Sequence, residues 1–232
     1  MAFALNNMSL EERFGALDDA RARFVSKVYS GLTYSLIVAT IACALGISVF
    51  TRMPPPQVRA ISIGLVIAEV VMAIAASFLR LSGPFGWIFL TGFVALTGVT
   101  LAPVLLIYER IAGVGTIATA LGLTATIFLT LTVYVRYTGK DFSWLGGFLW
   151  MGVVGLIVVG IASIFFSMPS VNYWMSWFGA LIFSGWILFD TSAVTRQYYE
   201  TNNVVGAVLN LYLDILNLFM YLLSILSDRR RD

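Results

Sequence analysis

The 232-residue chain contains no histidine. That removes the side chain that usually changes charge near neutral pH, the commonest neutral metal ligand and the commonest general base, so any proton chemistry falls to carboxylates. The one cysteine, Cys43, lies inside an apolar run, which excludes an intrachain disulfide and a cysteine metal site. Lysine occurs only at Lys27 and Lys140. Neither is in the last apolar run, where a retinal protein would need its Schiff base. Charge is scarce as well: 11% of residues are Asp, Glu, Lys or Arg, against about 25% in soluble domains. A soluble domain is excluded. The net charge of +2 comes from basic residues at the ends of apolar runs rather than from a patch, so no nucleic-acid partner is expected. No resident cofactor is expected either.

What the chain has is apolar length. Hydrophobic residues make up 59% of it, the mean hydropathy is +0.91, and a spanning helix needs about 20 apolar residues. Uncharged stretches mark a first span over Val28 to Thr51, closed by Arg52-Met53-Pro54-Pro55-Pro56, where consecutive prolines stop a helix. A second runs from about Ala60 to Arg80, a third follows Ser82-Gly83-Pro84 to Tyr108, and a fourth covers Ile111 to Val135. The uncharged stretch from Phe142 to Phe189 is long enough to cross twice, with Met168-Pro169-Ser170-Val171-Asn172 as its turn. The fifth span is then about 144 to 167 and the sixth about 173 to 195. After the polar loop 196–203, the seventh runs from about Val204 to Ser227. The expected fold is an all-α integral membrane protein with seven transmembrane helices.

Residues 9 to 27 begin with a Ser9-x-x-Glu12 capping box and place Leu10, Phe14, Leu17 and Phe24 near helical spacing. This reads either as an amphipathic surface helix or as a solvated leader into the first span. Its acids Glu11, Glu12, Asp18 and Asp19 precede any long apolar run, unlike a cleaved signal peptide. The chain thus divides into an N-terminal segment, 1–27, a transmembrane domain, 28–227, and a charged tail, 228–232. Lys and Arg split almost evenly between the two sides. A cytoplasmic N-terminus is favoured, although the terminal arginines oppose it. Small residues inside the spans, among them Ala42-x-x-x-Gly46 and Gly146, Gly147, Gly152, Gly155 and Gly160, suit close helix packing.

A charge at the bilayer centre costs at least about 2.5–3.5 kcal/mol on insertion scales, so Glu69, Arg80, Asp190 and Asp214 each need a reason. Positions 190 and 214 are equidistant from Asn202, so an antiparallel hairpin turning there sets both aspartates at one depth, about 15 Å from the turn. Asn210, Asp214, Asn217, Tyr221 and Ser224 recur at offsets of four, three, four and three, a polar stripe that must face protein or a watery cavity. Such a stripe also suits a static interhelical hydrogen-bond network. Glu69 and Arg80 are about three turns apart, on one face of the second helix. Arg80 either reaches the aspartates or snorkels from its helix end. Two carboxylates alone would tend to share a proton, and hard cations such as calcium favour oxygen ligands. Protonation would therefore neutralise a cation site that deprotonation creates.

The runs Ile187-Leu188-Phe189-Asp190-Thr191 and Leu211-Tyr212-Leu213-Asp214-Ile215-Leu216-Asn217-Leu218-Phe219 resemble the C-terminal signature of the Bax inhibitor-1 family. So do Lys27-Val28-Tyr29 and Lys140-Asp141-Phe142-Ser143, and with the span count the resemblance covers nearly the whole chain. It implies six helices around a central seventh and a pH-sensitive calcium leak in the bacterial inner membrane, run by an aspartate pair. On that pattern Asp190 and Asp214 are the pair and the transient calcium ligands. Arg80, after Ala75-Ala76-Ser77-Phe78-Leu79, matches a latch on the closed state. Glu69 matches an acidic position in the same helix, and with Asn210, Asn217 and Tyr221 it is a candidate for the ion path or its network. Bacterial relatives lacking one acid are linked to a membrane protease, whereas this chain keeps both. An intramembrane aspartyl protease would show a Gly-x-Gly-Asp element, which Leu211-Tyr212-Leu213 replaces here. A non-enzymatic role is therefore expected. A non-conducting regulator of a membrane protease or other membrane proteins and a proton-coupled transporter are the alternatives.

Overall fold

The computed structural model describes residues 10–79, 81, 83–166, 169–196 and 203–228. Seven helices are long and apolar enough to cross a membrane. They are α1 (Leu10–Phe50), α2 (Pro55–Phe78), α3 (Gly83–Ala112), α4 (Val114–Thr138), α5 (Gly146–Phe165), α6 (Pro169–Arg196) and α7 (Val204–Asp228), with a 3₁₀ turn, Ser143–Leu145, leading into α5. Among the described residues there is no strand. The chain is a multi-pass integral membrane protein.

α1 joins two segments that the sequence left separable. It has 41 residues, about 60 Å at 1.5 Å per residue, roughly twice the hydrocarbon thickness of a bilayer. Its charged start stands clear of the hydrocarbon and continues into the first span without a break. Phe24 and Val25, at the end of that leader, are buried in a core cluster with Val28, Leu81, Leu90 and Val205. The prolines act as expected: α2 begins at Pro55, where the missing N–H costs nothing, behind Pro54 in extended conformation. α4 stops at Gly139, whose φ of +59° is the left-handed conformation that glycine adopts freely.

α6 and α7 are each half buried over their most apolar window, whereas α2 is buried nowhere along its own and α5 hardly at all. The main neighbours of α7 are α1, α3, α4 and α6; α2 leans on α3, and α5 on α6. The expected ring of six around α7 is thus four direct neighbours plus two helices attached chiefly through α3 and α6. The large apolar side chains left exposed, such as Ile67, Ile88, Leu129 and Val158, suit contact with lipid.

Glycine sets the closest approaches. At Gly98 of α3 an added Cβ would collide with the backbone carbonyl of Ala39 on α1, and at Gly46 it would come within 2.8 Å of the Ala102 Cβ. In α5 only Gly146 and Gly152 face α6, against Phe189 and Ile182, while Gly147, Gly155 and Gly160 face open space. The sequence reading assigned close packing to all five. α5 also meets α6 through Trp150, edge-on to Trp186 with ring centroids 6.0 Å apart.

The 139–142 link is held by local hydrogen bonds. The Ser143 backbone N–H donates to Asp141 Oδ1 at 2.8 Å, and the Phe142 N–H donates to Ser192 Oγ on α6 at 3.3 Å. The first of these bonds, ahead of the Ser143 hydroxyl, holds the Asp141 carboxyl below its usual range.

Two outcomes follow for stability. Gly98→Ala pries α1 from α3 and should destabilise the protein by about 1–3 kcal/mol, whereas Gly122→Ala, with open space at its Cβ, should be neutral within about 0.5 kcal/mol. Reactivity of the buried Cys43 thiol during heating reads both. Asp141→Ala should lower the Tm at neutral pH. Because the folded carboxyl is depressed, its contribution is present above the unfolded value and disappears as pH falls through the folded one. The Tm gap between wild type and variant should therefore close in acid.

Candidate functional site

A helix in hydrocarbon satisfies its own backbone but leaves polar side chains to find partners on neighbouring helices. α7 presents its polar stripe to α6, and contacts along the seam run antiparallel. Asp214 and Asn210 both meet Asp190 through their side chains. Further along, Tyr221 stacks on Phe183 with ring centroids 5.8 Å apart. A Cβ at Gly179 would lie 2.5 Å from the Tyr221 ring, so glycine is what admits the phenol there. At the far end the Ser224 and Ser176 hydroxyls are 2.8 Å apart.

Asp190 and Asp214 are 3% and 5% exposed, and each keeps one carboxylate oxygen, Oδ1 and Oδ2 respectively, without a hydrogen-bond partner. Full ionisation of both carboxyls at this burial would set two like charges against each other out of water. Asp190 lies six residues before the end of α6 and Asp214 ten after the start of α7, about 9 and 15 Å along their axes. The pair therefore sits in the half of the bundle nearer the N-terminal side, somewhat off the mid-membrane position that hairpin arithmetic suggests.

The other candidates divide. Asn210 joins the pair. Asn217 turns back on its own helix, its Nδ2 donating to the Leu213 carbonyl at 2.8 Å. Tyr221 belongs to the seam but not to the pair. Glu69 of α2 is half-buried and meets the Thr100 side chain of α3, which separates it from the aspartates' immediate partners. One turn before Thr100, Thr97 makes a short hydrogen bond to the Tyr212 hydroxyl of α7. Arg80 and Asn202 lie outside the described residues. Among the described residues no group of three metal-ligating His, Cys, Asp or Glu side chains occurs.

Sequence reasoning passed over a second polar group. The Tyr29 hydroxyl of α1 faces the side chains of Thr132 on α4 and Thr191 on α6. All three hydroxyl oxygens are buried, and none has a partner at direct hydrogen-bond distance. Threonine is common in these helices, where most hydroxyls bond back to the preceding turn, as Thr124 does to Ala120 and Thr195 to Thr191. The convergence of three from distant helices left no periodic signal to find.

The chain is similar to known proteins over most of its length. A Vibrio cholerae protein named "Uncharacterized membrane protein" is 38% identical over 84% of this chain and 83% of its own length. A Campylobacter jejuni protein is 33% identical over 88% of each chain. The "Golgi anti-apoptotic protein" of vaccinia virus is 32% identical over 89% of this chain and 86% of its own. The model of the Bax1-I family, "Inhibitor of apoptosis-promoting Bax1", matches residues 21–231. With seven apolar helices, membrane-protein relatives in bacteria and that match over nearly its whole length, the chain belongs to the Bax1-I (Bax inhibitor-1) family as a multi-pass protein of the bacterial inner membrane.

Proposed function

We propose that the protein is a pH-sensitive calcium leak channel in which protonation of the Asp190–Asp214 pair governs the cation path. The observation that carries this reading is the burial of two carboxyls in mutual contact at the heart of the bundle, with Asn210 beside them and two carboxylate oxygens unpartnered. A static structural pair would be expected to satisfy those oxygens, since an unpaired buried acceptor costs about 1–3 kcal/mol. Deprotonation exposes negative charge to a passing cation, and protonation removes it. Calcium takes six to eight oxygen ligands, more than two carboxylates and one amide supply, so the ion would keep water and bind transiently. Arg80 would latch the closed state by pairing with the singly ionised acids, and loss of the second proton would leave a negative charge beyond the one it neutralises. Glu69 would act on the path from α2 through Thr100 rather than within the pair. No catalytic role is assigned to any of these residues.

The alternative reading is a non-conducting regulator that acts by binding other membrane proteins, a membrane protease among them. The two readings part on flux. In dye-loaded proteoliposomes, wild-type calcium entry should exceed that of empty liposomes and should rise with pH by up to about tenfold per unit, the limit for loss of one proton. Asp190→Asn and Asp214→Asn should each abolish that slope and lower the flux at high pH. Arg80→Ala should raise the flux at low driving force, because the latch is gone. Equal flux in all four proteins, or none in wild type, sinks the leak reading, and copurification with a protease would then favour the regulator.

A further inference from the structure

An open cavity of about 650 Å³ lies at the N-terminal side of the bundle, between the start of α1, the end of α4 and the end of α6. Asp18, Arg21, Arg136 and Thr195 line it, and Tyr29 lies at its wall. Beyond Tyr29 the helices carry their polar atoms inward. Thr132 is one turn below Arg136 on α4, and Thr191 is one turn below Thr195 on α6, so each pair shares a face. The Tyr29 hydroxyl faces both deeper threonines. Thr191 is fully buried and adjoins Asp190 in sequence, and Thr132 is 7% exposed. Among the described residues the buried unpartnered side-chain atoms are the Tyr29, Thr132 and Thr191 hydroxyls, Asp190 Oδ1, Asp214 Oδ2 and Trp186 Nε1, the last one turn of α6 before Asp190. Orphaned buried polar atoms on facing helices are what water or a passing hydrated ion would satisfy.

We infer that this cavity is the aqueous mouth through which water, protons and hydrated cations reach the aspartate pair, and that the Tyr29 phenol is the gate between mouth and pair. The ring stands in the wall of the cavity between its open space and the Thr132 and Thr191 hydroxyls; turning it aside would join the cavity to those hydroxyls and open the way toward Asp190. A proton entering this way leaves a hydronium ion of the cavity, which becomes water, and is taken up on a free carboxylate oxygen of the pair, which becomes a carboxylic acid, with no change of oxidation state. The charged and titratable groups facing the route are Asp18, Arg21 and Arg136 at the mouth, Arg136 acting electrostatically on Tyr29, and Asp190 and Asp214 at its end, among the described residues. Tyr29 is a positioning residue and not part of the cation site. The flux consequences rest on the leak reading above, whereas the accessibility consequences do not.

Cysteine accessibility tests the route in the full-length protein. In sealed vesicles of known orientation, on a Cys43→Ala background, Thr195→Cys should react with a membrane-impermeant cationic methanethiosulfonate from the N-terminal side only. Thr191→Cys should react at least tenfold more slowly. Adding Tyr29→Ala, or Tyr29→Leu if the alanine variant does not fold, should speed the reaction at position 191 about tenfold and leave position 195 unchanged. Reaction of position 195 only from the opposite side, or a rate at 191 indifferent to both Tyr29 variants, overturns the inference. In proteoliposomes that leak calcium, Tyr29→Ala or Tyr29→Leu should also shorten the lag between a pH jump and the change in flux. The expected labelling pattern together with an absent wild-type leak would retain the mouth and its gate and reject only the leak.

Discussion

A carboxylate pair without water has one inexpensive solution, which is to be its own partner, and the α6–α7 seam is built around that solution. Asp190 and Asp214 are both almost wholly buried, and their side-chain contact requires the two helices to run antiparallel in a single register. A slip of one residue would turn each acid by about 100° around its helix and strand it against lipid or apolar core, at several kcal/mol. The rest of the seam agrees with that register. Asn210 meets Asp190, Tyr221 lies over Gly179 and against Phe183, and Ser224 reaches Ser176.

Once α6 and α7 are locked, the other helices arrange by how much of them must be hidden. α1, α3 and α4 bury residues such as Val28, Leu90, Val94 and Ala120 with those of α7 in shared clusters. Gly98 and Gly46 bring α1 and α3 into backbone contact. α2 and α5 have little to hide, and most of their apolar surface faces outward. In a bilayer that outward face carries no penalty, so a helix is held by a few specific contacts rather than by the hydrophobic effect. Glu69 to Thr100 is such a contact for α2, and Trp150 to Trp186 for α5.

The span count and the aspartate pairing were legible in the sequence because both follow from one-dimensional spacing: apolar length for the first, equidistance from Asn202 for the second. The stripe at 210, 214, 217, 221 and 224 was legible as one face of one helix, but its division of labour was not. Asn217 bonds to its own backbone while Asn210 joins the acids, a choice that depends on which side chain of α6 stands opposite. The glycines of α5 show the same limit, since spacing reveals that a helix has small residues but not which of its faces meets a neighbour. The Tyr29, Thr132 and Thr191 cluster was invisible for a stronger reason. It joins positions more than fifty residues apart on three helices, and no periodicity along a single helix records such a meeting.

The position of the polar atoms along the bundle makes its two ends unlike. On the N-terminal side, the cavity lined by Asp18, Arg21 and Arg136 brings charged surface to Tyr29, which meets Thr132 and Thr191. Toward the other end the polar stripe continues through Tyr221 and Ser224, but Tyr221 is packed flat against Phe183 and over Gly179, and Leu223 and Phe219 beside it are buried with Ala120. Polar groups that end in stacked rings and dry aliphatic packing give an ion no hydration to exchange for its own. The acids are thus poised on the wet side of the tightest part of the seam. On the reading proposed above, their protonation would be set by one aqueous compartment, and the charge it creates or removes would stand at the threshold of the dry path.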